Sequence, residues 1–145
     1  MNNDESYGGV IEMPVLRLSA DSSSEEILPF AKMVHELVSL PVTMRSRNKK
    51  GVRLEKGKVM DMDYTGPVLE EVLRRNCVIH TIPDKGAYKG VPVVVAPLQD
   101  EEGKTIAAVG VVDVVCTIDL ASVFGNYPQI VRQVEERKEF LKPKG

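Results

Sequence analysis

A chain of 145 residues, 43% apolar and 28% charged, has the length of one domain and the balance of an ordinary globular protein. A net charge of −2 argues against a general nucleic-acid coat, and two cysteines, Cys77 and Cys116, cannot make a disulfide framework or a four-ligand zinc site. No apolar run approaches the roughly 20 residues needed to cross a bilayer, and the acidic, polar residues 1–7 lack the basic start of a secretory signal, so the expected location is the cytoplasm.

With 5% aromatic residues and no tryptophan, the core is expected to be aliphatic. Both cysteines lie in apolar runs and are expected to be buried free thiols in a reducing compartment. Residues 1–23 are expected to be a flexible N-terminal segment, with one short edge-strand candidate over 11–16 in which Pro14 limits pairing. Ser23 and Glu26 have capping-box spacing, and Ile27, Phe30, Ala31, Val34, Leu37 and Val38 then recur at helical intervals. This predicts an amphipathic helix over 24–39, with Pro29 in its first turns, His35 at the border of the apolar stripe, and Pro41 as the stop.

Alternating apolar and charged residues over 42–47 and 52–55, joined by a turn at 48–51, predict a half-exposed hairpin. Gly57 turns the chain again, and Val59-Met60 can add a short strand. Thr65 is placed to cap a second helix with Pro67 at its first position; Val68, Leu69, Val72 and Leu73 are its buried stripe, fraying near Asn76. A strand over 77–82 and a loop over 83–90 follow. Near-continuous apolar runs over 91–98 and 105–112, joined by a polar turn, predict strands covered on both faces. Asp119 caps a short turn through Phe124, and a last helix over 128–141 is expected to turn Ile130, Val131 and Val134 inward.

These helices are too few to separate every pair of strands, which excludes a doubly wound parallel sheet. The expected fold is α+β, an antiparallel sheet of about five strands with helices packed on it, and residues 24–145 form a single domain. The stretch 90–113, a Val-rich strand ending in Ala96-Pro97-Leu98, a polar Gly103 turn and the run Ile106-Ala107-Ala108-Val109-Gly110-Val111-Val112, resembles the last hairpin of GAF-type sensor domains. The element order resembles that of GAF, PAS and profilin-like domains. Through 42–66 and 90–113 the chain also resembles a family of small uncharacterised proteins of methanogenic archaea. That resemblance implies an anaerobic archaeal cytoplasm; it supplies no ligand and no site residue.

Between Arg45 and Lys58 lie 7 of the 19 basic residues against one acid, Glu55. Strand alternation puts Arg45, Arg47 and Arg53 on one face, where guanidinium groups can grip a carboxylate or phosphate bidentately. The same charges also serve an edge hairpin by discouraging aggregation. No aromatic residue is interleaved with them, so a stacking platform for single-stranded nucleic acid is missing. Asp113 ends an apolar strand and needs a partner, either a hairpin arginine or backbone N–H groups. His80 lies mid-strand as a hydrogen-bonding candidate; Cys77, three residues away, points to the opposite face. Tyr88, flanked by Gly86 and Gly90, suits a lid over a pocket.

No phosphate-loop, dinucleotide, nucleophile-elbow or zinc-peptidase pattern occurs in the sequence, and no two-histidine metal spacing. No catalytic residue, metal site or cofactor is therefore expected. The expected function is a non-catalytic sensory or regulatory domain that binds a small anion or an acidic protein surface through its basic hairpin. The alternative is a small accessory subunit of a larger archaeal enzyme complex. A homodimer is expected, because isologous dimers are common and the apolar helices need cover.

Overall fold

The computed structural model describes residues 13–115 and 119–140. Helix α1 (Ser24–Val38) starts on the capping box: the Ser23 hydroxyl accepts from the Glu26 N–H, and the Glu26 carboxylate accepts from the Ser23 N–H. It ends at Ser39, whose left-handed φ of 56° closes the last turn. Strands β1 (Val42–Ser46), β2 (Gly51–Glu55) and β3 (Lys58–Tyr64) follow, then helix α2 (Pro67–Arg75) and the short strand β4 (Ile79–Thr81). The hairpin β5 (Val93–Gln99) and β6 (Thr105–Val112) precedes helices α3 (Leu120–Phe124) and α4 (Pro128–Phe140).

The six strands form one antiparallel sheet in the order β3-β2-β1-β6-β5-β4. The sixth strand arises because the Val59-Met60 stretch extends to Tyr64, running along β2 with two register irregularities. Register assigns the faces. Val42 lies beside Leu54 and Val111, and Met44 beside Val52 and Val109; all of these pack with Ile27 and Ala31 of α1. Ile27, Val42, Val52 and Leu54 are fully buried there, each worth about 1.5–3 kcal/mol relative to exposure.

The alternate positions face the other way. Val93, Val95 and Ala108 meet Val68, Leu69, Val72 and Leu73 of α2. The helices thus sit on opposite faces, α1 over β1 and β2, α2 over β5 and β6. On the α2 face the β1–β3 half therefore holds the polar residues Thr43, Arg45, Arg53 and Glu55, and this asymmetry positions everything that follows.

Several local expectations are corrected. Thr65 does not cap α2: Gly66 is the N-cap, with no side-chain capping bond, while the Thr65 hydroxyl accepts from Arg45 and donates to Glu70. The charged Arg45 donor takes that oxygen in place of a backbone N–H, and the Glu70 carboxylate accepts a hydrogen bond from the hydroxyl. No strand forms over 13–16, where Met13, Val15 and Leu16 are exposed; residues 11–12 lie outside the described residues, as do residues 1–10 of the N-terminal segment. Cys77 is half-buried rather than buried, ahead of a three-residue edge strand, and Cys116 lies outside the described residues. The last helix turns no side chain fully inward: none of its residues is buried and Ile130 is 36% exposed. Its main contacts are with α3, because α1 and α2 already fill the two helix positions on the sheet.

His35 is not a border residue. It is buried at the end of α1, where Nδ1 donates to the Leu40 carbonyl at 2.7 Å and Nε2 accepts from the Gly57 N–H at 2.8 Å. One imidazole thus ties the helix end to the β2–β3 turn.

Candidate functional site

The six residues singled out by sequence fall into three places. Arg45 and Arg47, at the end of β1, line an open cleft of about 310 Å³ with Asn48, Glu70, Leu73 and Arg74. Arg53 and Tyr88 meet over the helix-free half of the α2 face. His80 and Asp113 pair with one another on the α1 face.

In the cleft, Arg45 is fixed by its neighbours. Its guanidinium donates to the Ser46 carbonyl at 2.9 Å, to the Arg47 carbonyl at 3.1 Å and to the Thr65 hydroxyl at 2.9 Å, with the Glu70 carboxylate 3.8 Å away. Arg47 is exposed and reaches the Thr105 carbonyl at 3.3 Å. Arg74 stands on the exposed side of α2, with no partner among the described residues. Three arginines and one carboxylate therefore line a cleft open to solvent. Arg74 is the member that sequence reasoning missed. Its spacing of four from Glu70 put both on one side of α2, but only the packing of α2 beside β1 brings that side to the hairpin.

Arg53 is not part of this group. It shares the face of Arg45, as alternation requires, yet its Nη1 is 3.0 Å from the Glu55 carboxylate and its guanidinium lies 5.9 Å from the centre of the Tyr64 ring. The Tyr88 hydroxyl donates to the same Glu55 oxygen at 2.6 Å. Burial works against the Arg53 charge, but Tyr88 and Glu55 outweigh it and hold its pKa above the usual value. Burial raises the pKa of Tyr88, and the Glu55 carboxylate adds to the rise; burial also raises that of Tyr64.

The two tyrosines carry a pH signature. Unfolded tyrosine titrates near 10.0, so above that pH the unfolded chain gives up protons that the folded chain keeps. Stability is therefore expected to be intact up to about pH 9 and to fall as pH rises past about 10, with a smaller fall in Tyr88→Phe. Thermal melts across that range check it, and a rising Tm would contradict it.

His80 Nδ1 lies 2.7 Å from the carboxylate of Asp113, which is 5% exposed. Of the two kinds of partner expected for Asp113, a hairpin arginine or backbone N–H groups, the arginine's place is taken by a histidine, because register aligns His80 with Val94 and Val94 with Val111, two residues before Asp113 on the α1 face. The pair straps the edge strand β4 to the end of β6 across β5. Tyr88 lies on the other face and does not join them. Among the described residues no group of three or more histidine, cysteine or carboxylate side chains is placed to hold a metal ion, and no helix is long and apolar enough to cross a membrane.

Behind Tyr88 is a second hollow. It is lined by Thr43, Tyr64, Gly66, Val68, Leu69, Lys85, Val93 and Val95 among others, and encloses about 30 Å³. Lys85 and Tyr64 were not singled out by sequence; only the closure of the 83–90 loop over α2 brings them together.

No solved structure gives a significant match, so the GAF-type likeness has no structural counterpart there. An uncharacterised protein of Methanocaldococcus jannaschii is 42% identical over 122 residues, covering 83% of this chain and 88% of that protein. Residues 34–115, from the last turn of α1 to just past β6, match the family described as an uncharacterised protein conserved in archaea, DUF2111. They span the whole sheet with α2 and both polar clusters, and on these two matches the chain belongs to the DUF2111 family of archaeal proteins.

Proposed function

We propose that this protein is a non-catalytic regulatory domain of the archaeal cytoplasm that binds a small polyanion in the cleft of Arg45, Arg47 and Arg74. The observation that carries the reading is that three arginines, Arg45, Arg47 and Arg74, line one open space of about 310 Å³, large enough for a compact ligand. Arg45 is already held in place by Thr65 and two carbonyls, so little side-chain freedom is lost when an anion arrives. Arg47 and Arg74 are exposed and can close from either side. Carboxylate and phosphate oxygens match the guanidinium fork, which makes polycarboxylates and phosphate esters the ligand class. An acidic segment of a partner protein would present the same groups.

Arg47→Glu with Arg74→Glu is expected to abolish binding, weakening it by about a hundredfold or more, because each lost charge-assisted hydrogen bond is worth about 1.5–3 kcal/mol. Both residues are exposed, so the fold is expected to survive. Native mass spectrometry of protein purified gently from its host, without oxygen, reads the result. A small acidic adduct on the parent chain and none on the variant supports the proposal. A bare parent chain, or an adduct that survives both substitutions, overturns it.

An accessory-subunit or homodimer reading has one observation in its favour. Tyr127 just ahead of α4, Ile130 on α4 and Val123 on α3 are 56%, 36% and 56% exposed, large apolar side chains close together in sequence and open to solvent. The same mass spectra distinguish a doubled mass from a larger complex.

A further inference from the structure

We propose that the hollow beneath the 83–90 loop is a second binding site, for a small molecule with an apolar body and a single carboxylate, and that Tyr88 latches it shut. It lies on the α2 face, separate from the arginine cleft.

The walls supply the apolar half. Val68 and Leu69 of α2 face Val93, Val95 and Val112 of the sheet, with Pro41 and Pro83 at the rim. Protein interiors rarely leave such a gap, and about 30 Å³ is room for about two waters. Two of its lining positions, Gly66 and Gly110, are packed too closely by their neighbours to carry a side chain. A Cβ on Gly110 would come within 2.8 Å of Val95 and 3.1 Å of Thr43, and one on Gly66 within 2.9 Å of the Tyr64 hydroxyl.

The lining also holds the polar residues Thr43, Tyr64 and Lys85, and the Tyr64 hydroxyl lies beside Gly66 at the start of α2. Lys85 brings a positive charge, and α2 starts on Gly66 without a side-chain cap, so its first N–H groups add to a field that favours an anionic end. A largely apolar lining with one lysine, one threonine and one tyrosine suits a monocarboxylate better than a polyanion.

The roof is the 83–90 loop. The loop is bonded to itself, Gly90 N–H to the Pro83 carbonyl at 2.9 Å and Val91 N–H to the Tyr88 carbonyl at 3.0 Å, and turns at Gly86 and Gly90 with φ of +88° and +81°. It rests on Pro67 of α2, and the Tyr88 hydroxyl ties it to Glu55 of β2. With the loop shut the space is too small for any organic acid, so binding requires the Tyr88–Glu55 bond to open and the loop to swing out as a unit.

Methyl and amide NMR of the full chain tests this, with phenylacetate as probe and benzyl alcohol and citrate as comparators. Phenylacetate is expected to give saturable shifts at Val68, Val93, Val95 and Val112 at millimolar concentration, with benzyl alcohol weaker by about tenfold and citrate shifting none of these methyls. Val93→Phe, which fills the hollow, is expected to abolish the shifts. Lys85→Ala, at an exposed position, is expected to bring phenylacetate down to the level of benzyl alcohol while leaving the fold intact. Tyr88→Phe is expected to speed hydrogen exchange at Gly90 and Val91 and to speed phenylacetate release. No saturable shift at these methyls, or shifts unchanged in both Lys85→Ala and Tyr88→Phe, would overturn the site whether or not Val93→Phe folds.

Discussion

Gly51→Ala is expected to destabilise the protein by roughly 3–5 kcal/mol, a large share of the about 5–15 kcal/mol that holds a domain of this size. The cause is backbone against backbone. A Cβ at position 51 would stand 1.8 Å from the Met44 carbonyl oxygen and 2.6 Å from the Arg45 Cα. Neither atom belongs to a flexible side chain, so the hairpin must part at the start of β2, where Gly51 pairs with Tyr64 ahead of a register irregularity. Parting it also moves Val52, which is fully buried against α1. Urea unfolding measures this directly. A variant within about 0.5 kcal/mol of the parent would show that the two strands separate freely there, contrary to the packing described.

His35→Phe is expected to cost about 2–3 kcal/mol. The ring keeps its apolar contacts, but the Leu40 carbonyl loses its donor and the Gly57 N–H loses its acceptor, and each orphaned group costs about 1–3 kcal/mol where water reaches it poorly. Gly57 is exposed and can recover part of that from solvent. Hydrogen exchange at the Gly57 amide distinguishes this account from simple loss of packing: it is expected to accelerate well beyond the global change. An amide that stays as protected as before would show that the imidazole bond contributes nothing.

Much of the fold was legible in the sequence, for physical reasons that can be named. Ser23 and Glu26 announced α1 because the capping box satisfies backbone donors locally, with no help from the rest of the chain. The β5–β6 hairpin was readable from its uninterrupted apolar runs. What failed depended on distant neighbours. Thr65 looked like a cap until Arg45, twenty residues earlier, took its hydroxyl. Ile130, Val131 and Val134 have helical spacing, but spacing names a face without naming what covers it, and no helix position on the sheet was left. The candidate site divided in the same way. Alternation correctly joined Arg45 and Arg53 on one face, but could not tell that Glu55 and Tyr88 would claim Arg53 while Arg74 would arrive to replace it. His80 and Asp113, thirty-three residues apart, were singled out separately, and only the register across β5 made them a pair.

The strand order also governs how the chain comes together. β1 lies next to β6, so the inner edge of Val42–Ser46 stays open until Thr105–Val112 arrives more than fifty residues later. Until then, during synthesis or refolding, the β1–β3 meander presents a row of unpaired backbone groups beside Val42 and Met44, which are buried in the finished molecule. A long closure of this kind slows folding and exposes a template for association with other chains. Seven basic residues from Arg45 to Lys58 lie along this meander, and their mutual repulsion opposes the pairing of two such half-made chains.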